Sequence, residues 1–345
     1  MQVIFLVAGG LFLSFTTLNM VADGEGVWAG FVNLMAVAPE KFDMILTPDN
    51  PHYASLPGIS VLVGGMWVMN FSYWGFNQYI IQRTLAAKNL REGQKGIVFA
   101  AFLKLLMPVI VVLPGIAAVV LAPQLERPDL AYPTLMALMP VGLKGLVFAA
   151  LVAAIVSSLG SMTNSIATIF TMDIYVYYRP QKKSEPDFQR HLVAVGRVVS
   201  LTALVVAMLC AKPLLGSFDQ AFQYIQEFTG FFTPGIVVLF LLGVFWNRAT
   251  VNGALCAALG SAILSIVFYV FWPQLPFIDR VGLVFLLCLG AAIVVSLVES
   301  KGAENNGVHK NAVDLSDVDM STDGSFNFSA VSVALVLTAF YVAWW

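Results

Sequence analysis

Nine apolar segments, each close to the length of a transmembrane helix, dominate this 345-residue chain. A helix needs about 20 apolar residues to cross a bilayer. Lipid admits only helices or closed barrels, because no water is available there to satisfy the backbone, and segments this long and continuous predict helices. The predicted spans cover roughly 1–20, 57–82, 96–121, 141–170, 192–211, 219–246, 251–272, 281–298 and 327–345.

Composition places these segments in a membrane rather than in a soluble core. Hydrophobic residues make up 59% of the chain and charged residues 11%, which is more apolar surface than a soluble domain can bury. The sequence therefore predicts an all-α integral membrane protein with the lipid bilayer as its surroundings. The net charge of -2 is small and no basic block stands out, so nucleic acid is not indicated as a partner.

The charges of the loops predict the orientation of the chain in the membrane. Loop 83–95 carries four basic residues against one acid, and 171–197 carries five basic residues, so both are predicted to be cytoplasmic. Loop 21–56 holds five acids and one lysine, and it is predicted to lie outside, as is 122–140. Nine spans then place the first residue inside and Trp345 outside.

Polar residues lie at depth in two of the apolar segments. The stretch WVMNFSYWGFNQYIIQRT, residues 67–84, places Asn70 about 13 residues from the outer end of its segment, or roughly 20 Å. That depth is close to the middle of a hydrocarbon core about 30 Å thick. Lys104 lies about eight residues into the next segment, where a lysine costs roughly 2.5–3.5 kcal/mol on insertion scales. We expect a partner or a water-filled cavity to receive its ammonium group.

Two further segments bring polar groups to similar depth. Ser157 and Ser158 lie in the middle of 141–170, and Gln226 precedes the string TGFFTPG, whose glycines and proline predict a loosened helix. Polar groups at one depth on four helices are typical of a binding site at the midplane of a transporter.

Each of these features also has a purely structural interpretation. Asn70 and Gln226 could hydrogen-bond neighbouring helices, and the small residues of AAIVSSLGSMTNS could allow two helices to approach closely. The functional alternative is that Ala154, Ser157 and Ser158, at i, i+3 and i+4, point one carbonyl and two hydroxyls at the same place. Hard oxygen ligands of this kind suit a sodium ion.

Four long strings carry a family resemblance. NFSYWGFNQYIIQRTLAAK, KGIVFAAFLKLLMPVIVVLPGIAA, GLVFAALVAAIVSSLGSMTNSIATIFTMDIY and AFQYIQEFTG closely resemble the sodium/solute symporter family, in particular its branch for galactose- or glucose-like sugars. The similarity runs in order along nearly the whole chain. It implies the LeuT-type inverted-repeat transporter fold and sodium-coupled sugar symport by alternating access in a bacterial inner membrane. Sodium and the sugar would both be carried, with no enzymatic step.

The resemblance also implies roles for individual residues. By it, the implied sugar contacts are Asn70, Tyr73, Lys104 and Gln226; the gate residues are Tyr73 and Trp74 on the cytoplasmic side and Phe222 on the outer side; and the sodium ligands are the Ala154 carbonyl and the Ser157 and Ser158 hydroxyls. One departure is visible at Ser72, where the family member that the strings resemble most has a second tyrosine. That position lies outside the matched contacts.

The resemblance further implies how one membrane transport domain, 1–345, is organised. Residues 1–20 correspond to the end of a first repeat, 57–246 to a complete second five-helix repeat, and 247–345 to peripheral helices with a cytoplasmic loop at about 299–326. About nine transmembrane helices are expected in the chain. Met1 is followed directly by an apolar run with no preceding basic residue, so we expect most of the first repeat to be missing from this sequence.

Other functions are weighed against sugar transport. The same fold could carry another solute, such as myo-inositol, sialic acid or a proline-type substrate, but no arginine lies in the middle of the segments around the predicted site to bind a carboxylate. An intramembrane enzyme is disfavoured because the histidines are at loops or loop edges. A symporter-like membrane sensor stays open as an alternative, although we expect no output domain after the last helix.

Overall fold

A computed structural model describes residues 2–179, 187–215, 220–302 and 321–345. Every regular element of this described part is helical, which confirms the predicted all-α class. In chain order the α-helices are α1 (Gln2–Val21), α2 (Val27–Val37), α3 (Ile59–Val63), α4 (Gly65–Phe71), α5 (Gln78–Leu85), α6 (Leu90–Leu105), α7 (Leu113–Leu121), α8 (Ala131–Ala137), α9 (Val141–Ile169), α10 (Val176–Tyr178), α11 (Phe188–Leu215), α12 (Ala221–Gly230), α13 (Thr233–Phe245), α14 (Val251–Phe271), α15 (Phe277–Gly302) and α16 (Gly324–Ala343).

Within the described residues, three π-helical turns adjoin these helices; two of them continue a long helix, and the first is followed by extended backbone at Asn77. They span Ser72–Phe76 after α4, Pro108–Val112 before α7 and Phe170–Tyr175 after α9. A π turn carries one extra residue per turn and is often found at functional positions of a helix. The first of the three contains two of the residues that the sequence selects as site residues.

The chain divides into two compact units, which are described separately. The first unit comprises Met1–Phe42 and Phe102–Ala221. Its helix α1 packs against α2, α7 and α9, and α9 also packs against α11. Apolar clusters around Leu13 and Leu18 form its core. Ser14 Oγ, fully buried on α1, lies 2.5 Å from the carbonyl oxygen of Val109, which ties α1 to the second π turn.

The second unit comprises Asp43–Ala101 and Phe222–Trp345. Its core forms where α4, α13, α14 and α15 pack together, with Val238, Val281 and Val284 fully buried. Small residues bring two of these helices close, because a Cβ added at Gly253 would overlap the Ser296 hydroxyl. That hydroxyl also accepts the Thr250 N–H at 3.2 Å, where α14 begins.

The predicted spans agree with the helices at most positions. Within the described residues, seven helices are long and apolar enough to cross a membrane, and α12 with α13 forms an eighth if that bent pair is one span. The difference from nine arises at 57–82. That segment is divided into α3, α4, a π turn and α5, because the backbone leaves the helix at Gly64 and is extended at Asn77.

The predicted loops contain structure that hydropathy does not show. The loop 21–56 includes α2, whose 11 residues are too few to span a bilayer. Of the loop 299–326, α15 continues to Gly302 and α16 begins at Gly324, and 303–320 lie outside the described residues. Asp323, in the described end of that loop, pairs with Arg91 at 2.9 Å.

Candidate functional site

The stretch that carries Asn70, Tyr73 and Trp74 has one buried face and one exposed face. Val68 and Met69 of α4 are buried against the second unit's core. Tyr73 and Trp74, in the following π turn, keep 41% and 40% of their surfaces exposed, and Asn70 is also exposed. The packed face is thus apolar, and the three predicted site residues lie on the accessible part of the stretch.

Hydrogen bonds and ring contacts order the open part of this stretch. Asn70 Nδ2 donates to the carbonyl oxygen of Met66 at 2.9 Å, one turn earlier on α4. Tyr79 Oη donates to Tyr73 Oη at 3.1 Å, and the Tyr73 ring lies edge-on to the Trp74 ring with centroids 5.3 Å apart. The amide oxygen of Asn70 and the π face of Tyr73 can therefore meet a ligand while the backbone stays fixed.

Helix α12 carries Phe222 and Gln226 immediately before a break in the chain. α12 ends at Gly230 and α13 begins at Thr233, and their axes differ by 47°. The loosened helix predicted from TGFFTPG is therefore confirmed. Phe222 is 74% exposed and Gln226 is partly buried, one helical turn apart on the same side of α12.

Glu227, which follows Gln226 in the chain, forms a partly buried ion pair that the sequence analysis missed. Arg280 Nη2 donates to Glu227 Oε1 at 2.9 Å, and the Arg280 side chain is 5% exposed. The predicted span began at residue 281 and so left Arg280 in a loop, whereas the structure places it in the first turn of α15. The available signal was Glu227, because a carboxylate inside an apolar segment requires a partner.

Lys104 belongs to the first unit and lies near the C-terminal end of α6. Its side chain is accessible, one turn before the π turn that starts at Pro108. The predicted span 96–121 is confirmed as a continuous helical segment, which begins earlier in the structure, at Leu90. Lys104 is thus carried on a long helix, as the sequence analysis predicts.

Helix α9 carries the predicted sodium ligands and is unbroken at their position. Ala154 and Ser157 are partly buried and Ser158 is exposed, and the Ser157 carbonyl accepts the Ser161 hydroxyl at 3.0 Å. In a continuous helix the Ala154 carbonyl already accepts the N–H of Ser158. A carbonyl oxygen has two lone pairs, so the second is still open to a cation.

The close contacts of α9 with neighbouring helices lie mostly outside the run of small residues AAIVSSLGSMTNS. Val147 lies against Gly9 of α1, and Ala167 lies against Gly196 of α11, where an added Cβ would come 3.9 Å from the Ala167 Cβ. Of the small residues in AAIVSSLGSMTNS, Ser165 is 6% exposed, whereas Ser158 is exposed. Within the described residues the structural interpretation thus fits Ser165 better than Ser158.

The predicted site residues are divided between the two units. Asn70, Tyr73, Trp74, Phe222 and Gln226 lie in the second unit. Lys104, Ala154, Ser157 and Ser158 lie in the first unit. Their assembly into one site stays a prediction.

A comparison with protein families matches residues 1–260 to the sodium:solute symporter family. The chain belongs to this family. With seven or eight apolar helices of spanning length among its described residues, it is an integral multi-pass membrane protein. The family resemblance of the four long strings is thereby confirmed.

Individual relatives of this symporter chain are also similar along much of its length. A sodium/glucose cotransporter of Vibrio parahaemolyticus is 46% identical over all of the chain and 65% of its own length. A human sodium/myo-inositol cotransporter 2 is 37% identical over 63% of the chain and 34% of its own length. The uncharacterized symporter YidK of Escherichia coli K12 is 34% identical over 76% of the chain and 44% of its own length. The symporter chain thus spans less than two thirds of these relatives.

Proposed function

We propose that this protein is a sodium-coupled symporter of a galactose- or glucose-like sugar in a bacterial inner membrane, working by alternating access. The observation that carries the proposal is the 46% identity, over the whole chain, with a sodium/glucose cotransporter of a bacterium. The polar residues that the sequence places at the midplane supply the chemistry that such a substrate requires.

Sugar recognition is assigned to Asn70, Lys104 and Gln226. Sugar hydroxyls both donate and accept hydrogen bonds, so two neutral amides and one ammonium donor can satisfy them without an opposing carboxylate. The Asn70 amide donates to the Met66 carbonyl, which fixes its orientation and leaves its oxygen for a substrate hydroxyl. The accessibility of Asn70 and Lys104 supports this assignment.

The aromatic residues are assigned to the two gates. Tyr73 covers the apolar face of the sugar from the cytoplasmic side, with Trp74 edge-on beside it at 5.3 Å. Phe222 covers the outer side. Tyr73 lies in a π turn, with extended backbone four residues later at Asn77, and Phe222 lies on the half-helix before the 47° break. Both gates are therefore on interrupted helices, the kind of element that lines transporter cavities.

Sodium is assigned to the Ala154 carbonyl and the hydroxyls of Ser157 and Ser158. Neutral hard oxygens suit a monovalent cation, and a carbonyl already bonded within its helix can accept a cation on its second lone pair. The exposure of Ser158, in contrast to the buried Ser165, supports a binding role over helix packing. The sodium gradient drives uptake, and sodium binding is coupled to the conformational change through contacts that differ between the states.

The testing experiment is sugar uptake into proteoliposomes that contain the full-length protein. An inward sodium gradient should give transient accumulation of labelled galactose or glucose above equilibrium. An inward potassium gradient, or a sodium ionophore, should reduce uptake to equilibration. Equal uptake with and without the sodium gradient would contradict coupling.

A second candidate substrate is myo-inositol, a cyclic polyol with the same hydroxyl chemistry. The relatives named as sodium/myo-inositol cotransporters, at 37% identity, favour it. Carboxylate substrates such as proline or sialic acid are less suited, because Arg280 is 5% exposed and already pairs with Glu227. Competition of labelled galactose uptake by unlabelled myo-inositol, proline and sialic acid distinguishes these solutes.

A further inference from the structure

Side chains on one face attach α12 to its unit. Gln223 Nε2 donates to Ser55 Oγ at 2.9 Å, and Glu227 accepts the Arg280 guanidinium at 2.9 Å. At Gly230 an added Cβ would come 3.0 Å from Val281, so the end of α12 lies close to α15. Positions 223, 227 and 230 are spaced i, i+4 and i+7 and form one face of the helix.

The contacts of Gln223, Glu227 and Gly230 determine the direction in which the Gln226 side chain points from α12. With 3.6 residues per turn, successive residues are about 100° apart, so Gln226 lies about 60° around the helix from Gln223 and about 100° from Glu227. A rotation of α12 that releases Glu227 would therefore turn the amide of Gln226 by the same angle. The break after Gly230 removes the helix continuity with α13 that would otherwise resist such a rotation.

Arg280 is more deeply buried than Glu227, its partner in the ion pair. Its guanidinium carbon lies 5.0 Å from the centroid of the Phe231 ring and 5.3 Å from that of Tyr269. Phe231 is the first residue of the break, and its carbonyl oxygen accepts the Ser261 hydroxyl at 2.8 Å. Arg280 thus contacts the end of α12, the break and α14 at the same time.

The location of Arg280 on α15 argues against a role in the stability of that helix. A cation in the first turn of a helix is disfavoured by the helix dipole, which prefers acids there. Arg280 occupies the first turn after Asp279. Its favourable interactions are therefore with groups outside α15, and Glu227 is the charged group among them.

We propose that Arg280 is a positioning residue that sets the orientation of Gln226 through Glu227. The inference rests on the proposed function, since Gln226 is there assigned to the sugar. An arginine suits this position because its planar guanidinium can stack on aromatic rings and hydrogen-bond a carboxylate in a fixed geometry, whereas a lysine ammonium is a point charge. Release of the pair would let α12 rotate and would weaken sugar binding.

The first test is the mobility of a nitroxide spin label at position 226, in full-length protein made by Gln226→Cys. The background replaces the native cysteines by Cys210→Ala, Cys256→Ala and Cys288→Ala. Arg280→Gln should increase the mobile fraction of the label at least twofold, and Arg280→Lys should give an intermediate value. The matched control is Arg91→Gln, which breaks an exposed ion pair of the same unit at 2.9 Å and should leave the label unchanged.

The second test is transport by the protein with Gln226 intact. Arg280→Lys should raise the KM for sugar about tenfold while Vmax stays within about twofold. The charge swap Glu227→Arg with Arg280→Glu should recover part of that loss, and Arg91→Gln should transport normally. If Arg280→Gln does not fold, Arg280→Lys and the charge swap provide both measurements.

The two tests separate this inference from the proposed function. Label mobility does not depend on which solute is carried. An increase in label mobility with Arg280→Gln, together with no sugar accumulation by the unlabelled protein that keeps Gln226, would overturn the substrate and support positioning. A label at 226 that is equally immobile in the Arg280 and Arg91 variants would overturn positioning, even if sugar is transported. An Arg280→Lys variant with an unchanged KM for sugar would also overturn it.

Discussion

Gly65 lies against the carbonyl oxygen of Ile278, so closely that a Cβ at position 65 would overlap that oxygen. This contact joins α4, which carries Asn70, to the first turn of α15, which carries Arg280. Backbone approach at this distance requires glycine, because every other residue adds a carbon that the facing backbone cannot accommodate. The helix that bears a predicted sugar contact is thus fixed by a residue with no polar side chain.

The first prediction concerns this contact. Gly65→Ala should destabilise the protein by about 1–3 kcal/mol, the usual cost of forcing extra carbon into a packed interior. The control is Gly243→Ala in α13, where an added Cβ meets open space and alanine favours the helix. Thermal unfolding in detergent measures both. A Gly65→Ala protein as stable as the control would contradict the close approach.

The second prediction concerns Lys104. If its ammonium group holds a sugar hydroxyl, Lys104→Ala should lower kcat/KM for sugar about tenfold or more, because a hydrogen bond to a charged group is worth about 1.5–3 kcal/mol. The amount of folded protein should stay similar, since the side chain is accessible. Lys88→Ala, at an exposed position of the loop before α6, is the matched control. Normal uptake by Lys104→Ala would place the sugar elsewhere.

The third prediction concerns Ser158. Ser158→Ala removes one proposed oxygen ligand but keeps a small side chain, so the two interpretations of this run predict different results. Loss of a ligand should raise the sodium concentration for half-maximal uptake several-fold. Thr163→Ala is the control, because that hydroxyl bonds within α9, at 2.8 Å to the Leu159 carbonyl. Unchanged sodium dependence in Ser158→Ala would support the interpretation that these small residues serve helix packing.

The fourth prediction is a pH dependence at the start of α16. The hydrogen bond from Arg91 lowers the pKa of Asp323 below its usual value. A carboxyl group with a lowered pKa in the folded state contributes stability above its unfolded pKa, and this is lost as the pH falls through the folded pKa. Wild type should therefore unfold at a slightly higher temperature than Asp323→Asn at pH 6. The difference should shrink as the pH falls below the usual pKa of a carboxyl group and vanish once Asp323 is protonated in the folded protein as well.

A difference in unfolding temperature between wild type and Asp323→Asn that is independent of pH would contradict this prediction. Asp187→Asn is the matched control, because Asp187 pairs with Arg190 at 3.5 Å and both side chains are at least 80% exposed. A loose pair in full solvent is screened and should contribute little. Its pH profile should therefore follow that of wild type.

The sequence by itself determined the helical class, most spans and the break after Gly230. These follow from local rules, because lipid requires each spanning segment to satisfy its own backbone, and glycine and proline weaken a helix wherever they occur. The four long strings also determined the family. The residue types of the candidate site could be selected in the same way, because a polar group at depth in an apolar segment is visible without a structure.

Only the tertiary structure decided which partners these residues contact and where the helices are interrupted. Hydropathy predicts 57–82 as one span, but its division at Gly64 and Asn77 is visible only in the folded backbone. The partner of Glu227 is 53 residues away in the chain, one residue before the start of the span that hydropathy predicts, on a helix that begins at Phe277. Pairing at such separation depends on which helices pack together, and that depends on the shapes of all their faces at once rather than on any single segment.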